Sequence, residues 1–509
     1  MERRTLLRSG LAATGGLIAG GALWQNAAPA FVPTGRPVLT HGVQSGEPRA
    51  TSALVWSRAD RPSRLLVEVS HRPDFRGARL LRGPIVTPDT DFTGRVALRD
   101  LPPGHRVFYR VRAESLDTPG LLSEAVAGEL TTAPVGSRQG VRFVWTGDIA
   151  GQGWGINPDL GGMRIFDAMG RVEPDFYLCS GDTVYSDGPL AASVTLPDGR
   201  VWRNVVTPEK SKVAETLTEY RGQFSYNLLD DNLKAFAARV PQINQWDDHE
   251  VRNNWYPGQI LTDVRYTEKN VDVLAARARQ AFMEWVPIAS GEVYRSFSYG
   301  PHADVFVLDM RTYKDPNDAN VYADPSRGLL GDAQRQWLID GLTRSKATWK
   351  IIANDLLLGL VVPDGSALEG VAQGDGGAPK GRELEFADVL RTAYQRGVTG
   401  LVFLTADVHY TAAHHYDPAR AAVGDFAPFW EFVSGPANAG AFGPNRLDAT
   451  FGPEAVFVHA PPAANTSPLD PAYQHFGEVD IDGESGALTV RLRDGSGAVL
   501  WTTTLPKPM

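Results

Sequence analysis

A single cysteine, Cys179, stands in 509 residues. One thiol excludes an intrachain disulfide and a cysteine cluster for structural zinc. It lies in the apolar run Phe176-Tyr177-Leu178-Cys179-Ser180, where a buried, inert thiol is expected. Basic charge is scarce as well. Against 59 Asp and Glu there are 50 Lys and Arg, a net charge of -9, which excludes the basic footprint of a general nucleic-acid binder. Apart from the first thirty residues, no segment is long and apolar enough to read as transmembrane. No Gly-x-Ser-x-Gly elbow occurs, so the signature of that class of serine hydrolase is missing. What remains is ordinary globular composition, 43% hydrophobic and 21% charged, with length for two or more domains.

The first thirty residues read as an address rather than as fold. Arg3-Arg4 precede an apolar run from Leu11 to Trp24, and Ala28-Pro29-Ala30 offers a small-x-small cleavage site. This predicts an export signal over residues 1–30, carried by the twin-arginine translocation machinery to the periplasm or beyond the cell. Glu2 stands where Ser or Thr is usual. An uncleaved anchor is the alternative, although the run is short for a bilayer. Twin-arginine export carries folded proteins, often already loaded with a cofactor, which hints at a metal.

Residues 36–134 show short β runs separated by turns. Ser52 to Ser57, Leu65 to Ser70 and Val107 to Arg112 are three of them, with Pro102-Pro103-Gly104 and Pro119-Gly120 as turns. Even spacing of short strands predicts a β-sandwich. It holds no catalytic cluster. From residue 141 to 509 the pattern changes to apolar strands alternating with helical stretches, as in α/β folds.

Several of these strands run into an acid. Val141–Gly147 leads to Asp148, Phe176–Gly181 to Asp182, Val305–Leu308 to Asp309, and Leu401–Ala406 to Asp407 with His409 beyond. Ligands of α/β sheets bind outside the carboxyl ends of strands. Val240-Pro241-Gln242-Ile243 reads as another short strand, followed by Trp246-Asp247-Asp248-His249-Glu250-Val251-Arg252-Asn253-Asn254-Trp255. Buried charges need partners, so a charged string between tryptophans predicts a polar site at a strand end. Two stretches look like excursions from the sheet: 189–233, and the glycine-rich 363–382, which reads equally as a mobile lid or an idle loop.

Asp, His, Asn and a phenol suit hard or borderline cations. Several carboxylates in one place concentrate negative charge that cations would neutralise. Two cations roughly 3.5–4 Å apart can clamp the attacking and leaving oxygens of a phosphoryl centre, and Asp182 is the candidate bridge. Such a site hydrolyses phosphate esters through a metal-activated water.

Five segments occur in one order: Gly147-Asp148, Gly181-Asp182-Thr183-Val184-Tyr185, Trp246 to Asn254, Leu308-Asp309-Met310-Arg311-Thr312-Tyr313, and Ala406-Asp407-Val408-His409. Together with His41-Gly42-Val43-Gln44-Ser45-Gly46-Glu47-Pro48 they resemble the alkaline phosphatase D (PhoD-type) family of metallophosphoesterases over nearly the whole chain. The resemblance implies a four-layer α/β/β/α catalytic domain behind an immunoglobulin- or fibronectin-like sandwich. It implies phosphate monoesters or diesters as substrates and a binuclear or trinuclear metal site with Fe3+ and Ca2+. By motif position, Asp148, Asp182, Tyr185 and Asp407 would hold the first metal. Asp182, Asp248, Asn254 and His409 would serve the second, with Asn253 a rival to Asn254. His249 would contact the phosphate or protonate the leaving group, and Arg311 would bind phosphate oxygens. Some members carry Cys where this chain has Asp148, which keeps Mn2+ or Zn2+ open as alternatives. By the residues alone, Tyr185 could simply pack, Arg311 could pair with Asp309, and Asp309 could stand behind the ligands. The competing reading of the whole chain is a metal-stabilised surface binding protein without catalysis.

Overall fold

The computed structural model describes residues 35–136, 138–289, 291–324 and 327–508. The export signal expected over 1–30 lies outside them. Two β-sheets pack face to face. The first has nine strands, ordered Val499–Leu505, Leu488–Asp494, His475–Ile481, Val141–Thr146, Phe176–Ser180, Gln242–Gln245, Leu39–Gly46, Ser52–Ala59 and Thr93–Arg99. The second has seven, ordered Arg295–Tyr299, Ala303–Val307, Trp349–Ala353, Leu401–Thr405, Phe429–Val433, Thr411–Tyr416 and Pro453–His459. Phe143, Trp145, Leu178 and Ile243 of the first sheet meet Val305, Ile351, Val402 and Phe432 of the second in one buried cluster.

Helices cover both outer faces. α1 (Ile165–Gly170), α2 (Leu217–Asn227), α3 (Asp231–Ala237) and α4 (Val271–Trp285) bury Phe166, Phe224, Phe236 and Phe282 with Tyr177 of the first sheet. α5 (Gly331–Arg344) and α6 (Glu383–Gln395) bury Leu338, Leu342, Phe386 and Leu390 against Phe306, Ile352 and Phe403 of the second. The result is the four-layer α/β/β/α arrangement. Because central strands are covered on both sides, they read as continuous apolar runs rather than alternating ones. Phe176–Ser180 is buried at every position.

Register is what gathers the acids. In the first sheet Phe143 pairs with Phe176 and Tyr177 with Gln242, all in parallel. In the second, Val305 pairs with Ile351 and Ile351 with Val402, again in parallel. Parallel strands in step finish at one edge, so the residues that follow them are neighbours.

The N-terminal strands form a sandwich of Leu39–Gly46, Ser52–Ala59 and Thr93–Arg99 over a four-stranded sheet of Arg79–Val86, Ser63–Ser70, Arg106–Ser115 and Val126–Thr131. Val55, Val67, Tyr109 and Val111 lie in its core. Its strands Leu39–Gly46, Ser52–Ala59 and Thr93–Arg99 continue the nine-stranded sheet: Gly46 pairs in parallel with Gln242, and Glu47 N–H donates to Gln242 O at 2.9 Å. Only glycine fits at that crossing, since a Cβ on Gly46 would lie 2.3 Å from the Pro287 carbonyl oxygen. Residues 37–509 therefore form one compact unit.

Neither supposed excursion is loose. Residues 189–233 carry α2, and Tyr220, Phe224 and Tyr226 sit in the main core. Within 363–382, Glu369, Val371 and Arg382 are buried. Arg382 Nε donates to Gly370 O at 2.8 Å and Asn320 Nδ2 donates to Val371 O at 2.8 Å. Among the described residues no helix is long and apolar enough to cross a membrane.

Candidate metal centre

The strand-end acids share an unusual backbone. Asp148, Asp182 and Asp407 have φ of 62°, 48° and 59°, and Asn254 and His409 follow at 57° and 60°. Left-handed backbone is uncommon outside glycine, and Asn, Asp and His tolerate it best. Such residues concentrate where a fold holds a site under strain. Gly181, at φ 92°, precedes Asp182, and a Cβ there would lie 2.4 Å from Asp247 Cβ. That close approach brings the two loops together, and His249 N–H donates to Asp182 Oδ1 at 3.1 Å.

Two groups of potential ligand atoms each lie within 4.8 Å of one another: Asp148, Asp182 and His409, and Asp182, Asp248 and His249. Asp182 belongs to both. All of these side chains are buried. Both carboxylate oxygens of Asp148 and Oδ2 of Asp407 are buried without a hydrogen-bond partner. Burial first, then neighbouring carboxylates, push Asp148, Asp182 and Asp407 well above the usual carboxylate range. Orphaned buried carboxylates crowded together are what cations would relieve. The residues present therefore fit a metal cluster.

His409 is prepared as a neutral ligand. Burial pulls its pKa down to about 4, and Nδ1 is fixed on the Gly440 carbonyl at 2.5 Å, the kind of second contact that orients ligating histidines. Its Nε2 lies 2.8 Å from the Tyr185 hydroxyl and 3.5 Å from Asp148. The resemblance assigned His409 to the second cation; these distances set it beside the residues of the first. The Tyr185 ring stacks on His249 with centroids 4.2 Å apart. His249 Nδ1 bonds Asp187 Oδ1 at 2.6 Å, which leaves Nε2 for the site. Burial opposes protonation of His249, but Asp187 and Asp248 outweigh it and its pKa is about 10.

Asn254 is half-buried, and its backbone N–H donates to Asp248 Oδ2 at 2.5 Å. Its rival Asn253 is exposed and gives its backbone N–H to Asp187 Oδ2 at 2.9 Å.

Arg311 is set among acids. The expectation was a guanidinium facing phosphate; its side chain is 0% exposed. Nη2 and Nε are paired with Asp247 Oδ1 at 2.5 and 2.6 Å, Nε also with Asp355 at 3.2 Å, and Nη1 with Glu369. Asp407 is 3.9 Å away. Nη2, the nitrogen that faces Asp407, is buried without a hydrogen-bond partner. Arg311 neutralises the acids beside the site. Asp309 is likewise no ligand candidate: Oδ1 accepts from Trp246 Nε1 at 3.0 Å and Thr312 N at 3.0 Å, which ties the turn together. It has none of the left-handed backbone seen at the other three strand-end acids.

Sequence reasoning missed several groups. Asp187 orients His249, yet it stands 62 positions earlier. Its signal was an acid just two residues past Tyr185. Glu250 was noticed only as charge; it accepts from Thr183 N at 2.7 Å and Asp247 N at 2.8 Å, joining the two ligand loops. Asp355 follows the strand Trp349–Ala353 and carried the same strand-end signal as Asp309. Glu369 lies in the glycine-rich stretch and gave none.

Residues 143–492 match the family described as PhoD-like phosphatase, and residues 25–134 match the PhoD-like phosphatase N-terminal domain. Alkaline phosphatase D of Bacillus subtilis (strain 168) is 28% identical over 419 residues, covering 76% of this chain and 67% of that protein. A solved structure of PhoD superposes with a TM-score of 0.71 at 22% identity, covering 94% of this chain and 92% of the other. Purple acid phosphatase PPD1 from yellow lupin seeds superposes with a TM-score of 0.57 at 13% identity, covering 92% and 74%. At these identities the two superpositions speak for the fold.

Proposed function

Because the chain belongs to the PhoD-like phosphatase family, we propose that this phosphatase is exported and hydrolyses phosphate monoesters, diesters or both at a metal centre in which Asp182 would be among the residues that hold each cation. The observation that carries the reading is the presence of Asp182 in both groups of ligand atoms. Asp148, Asp182, Tyr185 and Asp407 would hold one cation, Asp182, Asp248 and Asn254 another, with His409 as the nitrogen ligand. Bound cations would supply Lewis acidity to the phosphoryl oxygens. Three carboxylates and a phenol suit Fe3+, and Ca2+ fits the oxygen-rich remainder; Mn2+ or Zn2+ are the competing assignments.

The chain's own residues do the rest. Asp187 fixes the His249 ring through Nδ1 and favours the protonated imidazole, so Nε2 can give a proton to a departing oxygen. Arg311 keeps Asp247, Asp355 and Glu369 from repelling the ligand carboxylates. Glu250 fixes the spacing of the Asp182 and Asp248 loops.

Turnover of p-nitrophenyl phosphate and bis(p-nitrophenyl) phosphate is expected to vanish on chelation and return on metal addition. Full turnover by protein shown metal-free by elemental analysis would overturn the reading. Export rests on the Arg3-Arg4 signal. In a bacterium lacking the twin-arginine machinery the full chain is expected to stay in the cytoplasm, whereas periplasmic protein there would refute that route.

A further inference from the structure

The backbone of Asn254 is pinned on both sides while its side chain is left free. Its N–H is held by Asp248, and its carbonyl accepts from Asn317 Nδ2 at 2.9 Å. Among the described residues the Asn254 side-chain amide makes no hydrogen bond. Two backbone contacts therefore hold the left-handed turn in place, and the Asn254 amide stays available for a ligand role.

Asn317 is itself fully committed. Nδ2 also donates to Asp364 Oδ2 at 2.8 Å, and Oδ1 accepts from Lys314 Nζ. A flipped amide would set oxygen against both the Asn254 carbonyl and the Asp364 carboxylate, so one orientation is dictated. Lys314 is buried, with Nζ 6.0 Å from the centre of the Tyr256 ring. Asp364 belongs to a hairpin of Pro363–Asp364 and Ala367–Leu368. Leu368 N–H donates to Asp318 O at 2.8 Å, one residue past Asn317, and Arg382 Nη2 donates to Leu368 O at 2.5 Å. The glycine-rich stretch thus acts as an anchor for the Asn254 turn.

We propose that Asn317 is a positioning residue that sets Asn254 towards the cation it shares with Asp248. This rests on the reading of Asn254 as a metal ligand. Loss of the Asn317 donor would free the Asn254 carbonyl and let the turn rotate, with the ligand amide moving along.

The test titrates Mn2+, and separately Ca2+, into chelated protein by calorimetry, with the melting temperature of the metal-free form read in parallel. Asn317→Asp keeps shape and the Lys314 contact but opposes oxygen to both the Asn254 carbonyl and Asp364. Asp364→Asn in that background restores a donor to the hairpin link and none to Asn254. Cation affinity is expected to fall about tenfold or more in both the single and the double variant, the scale of losses behind first ligands. The metal-free melting temperature is expected to fall in the single variant and return in the double one. Wild-type affinity in the double variant, beside weakened binding in Asn254→Ala, would reduce Asn317 to a structural prop and overturn the proposal. Undiminished affinity in Asn254→Ala would instead remove the ligand reading, and the proposal with it.

Discussion

Asp182→Asn is expected to lower phosphate-ester turnover by ~10³ or more. Lewis-acid stabilisation by a cation is worth several kcal/mol, and each 1.4 kcal/mol or so is a factor of ten in rate. Asp182 is the only side chain common to both groups of ligand atoms. An amide has one oxygen and no charge, so it cannot serve two cations as a carboxylate does. Elemental analysis is expected to show fewer metal ions per chain. Near-normal turnover at full occupancy would sink the bridging assignment.

The same substitution carries a second sign. Without metal, Asp182 is a buried acid whose ionised form is opposed by burial, then by Asp248 and Asp247. Removing its charge is expected to raise the melting temperature of the chelated protein, while the metal-loaded protein loses stability. The pH dependence follows. Burial raises Asp247 to about 6 and Glu250 to about 7. A raised folded pKa gives stability that is present below the unfolded value, near 4, and lost as pH rises through the folded one. The metal-free protein is thus expected to melt progressively lower from about pH 4 to 7.

The candidate ligand positions were legible because two local signals coincide there: apolar strands that stop, and a residue type that accepts left-handed backbone. Asp148, Asp182 and Asp407 show both. Asp309 shows both as well, yet its backbone is not left-handed and it serves Trp246 instead, so these signals alone do not set it apart. Pairings across long separations were not legible. Nothing near His249 in the chain announces Asp187, and nothing near Gln242 announces the strand ending at Gly46. The acids around Arg311 were not legible either, because Asp247, Asp355 and Glu369 stand 64, 44 and 58 positions away. The stretch 363–382 read as loose because glycine suggests freedom. Here Gly365, Gly374, Gly376 and Gly381 have φ of 61°, 92°, 64° and 54°, so they make tight turns that let Glu369 and Asp364 reach the site's supports.

His249→Ala is expected to harm phosphate esters with alkyl leaving groups by about 10²–10⁴, the usual contribution of a general acid. Nitrophenyl esters should lose far less, because nitrophenolate departs without a proton and an alkoxide does not. The geometry behind this is the 2.6 Å contact between His249 Nδ1 and Asp187, which favours the imidazolium and leaves Nε2 as the donor. Asp187→Asn removes the charge that most raises the His249 pKa. A general acid works only while protonated, so activity on alkyl esters should fall above its pKa. In Asp187→Asn that descending limb should move to lower pH, with the nitrophenyl profile nearly unchanged. The competing role has the same geometry behind it, since His249 lies among the potential ligand atoms of Asp182 and Asp248. A metal ligand and a proton donor part company under one measurement. If His249→Ala loses a metal ion and harms both ester classes equally, the imidazole is a ligand and the proton must reach the leaving oxygen from elsewhere. If metal content holds and only alkyl esters suffer, Nε2 delivers the proton.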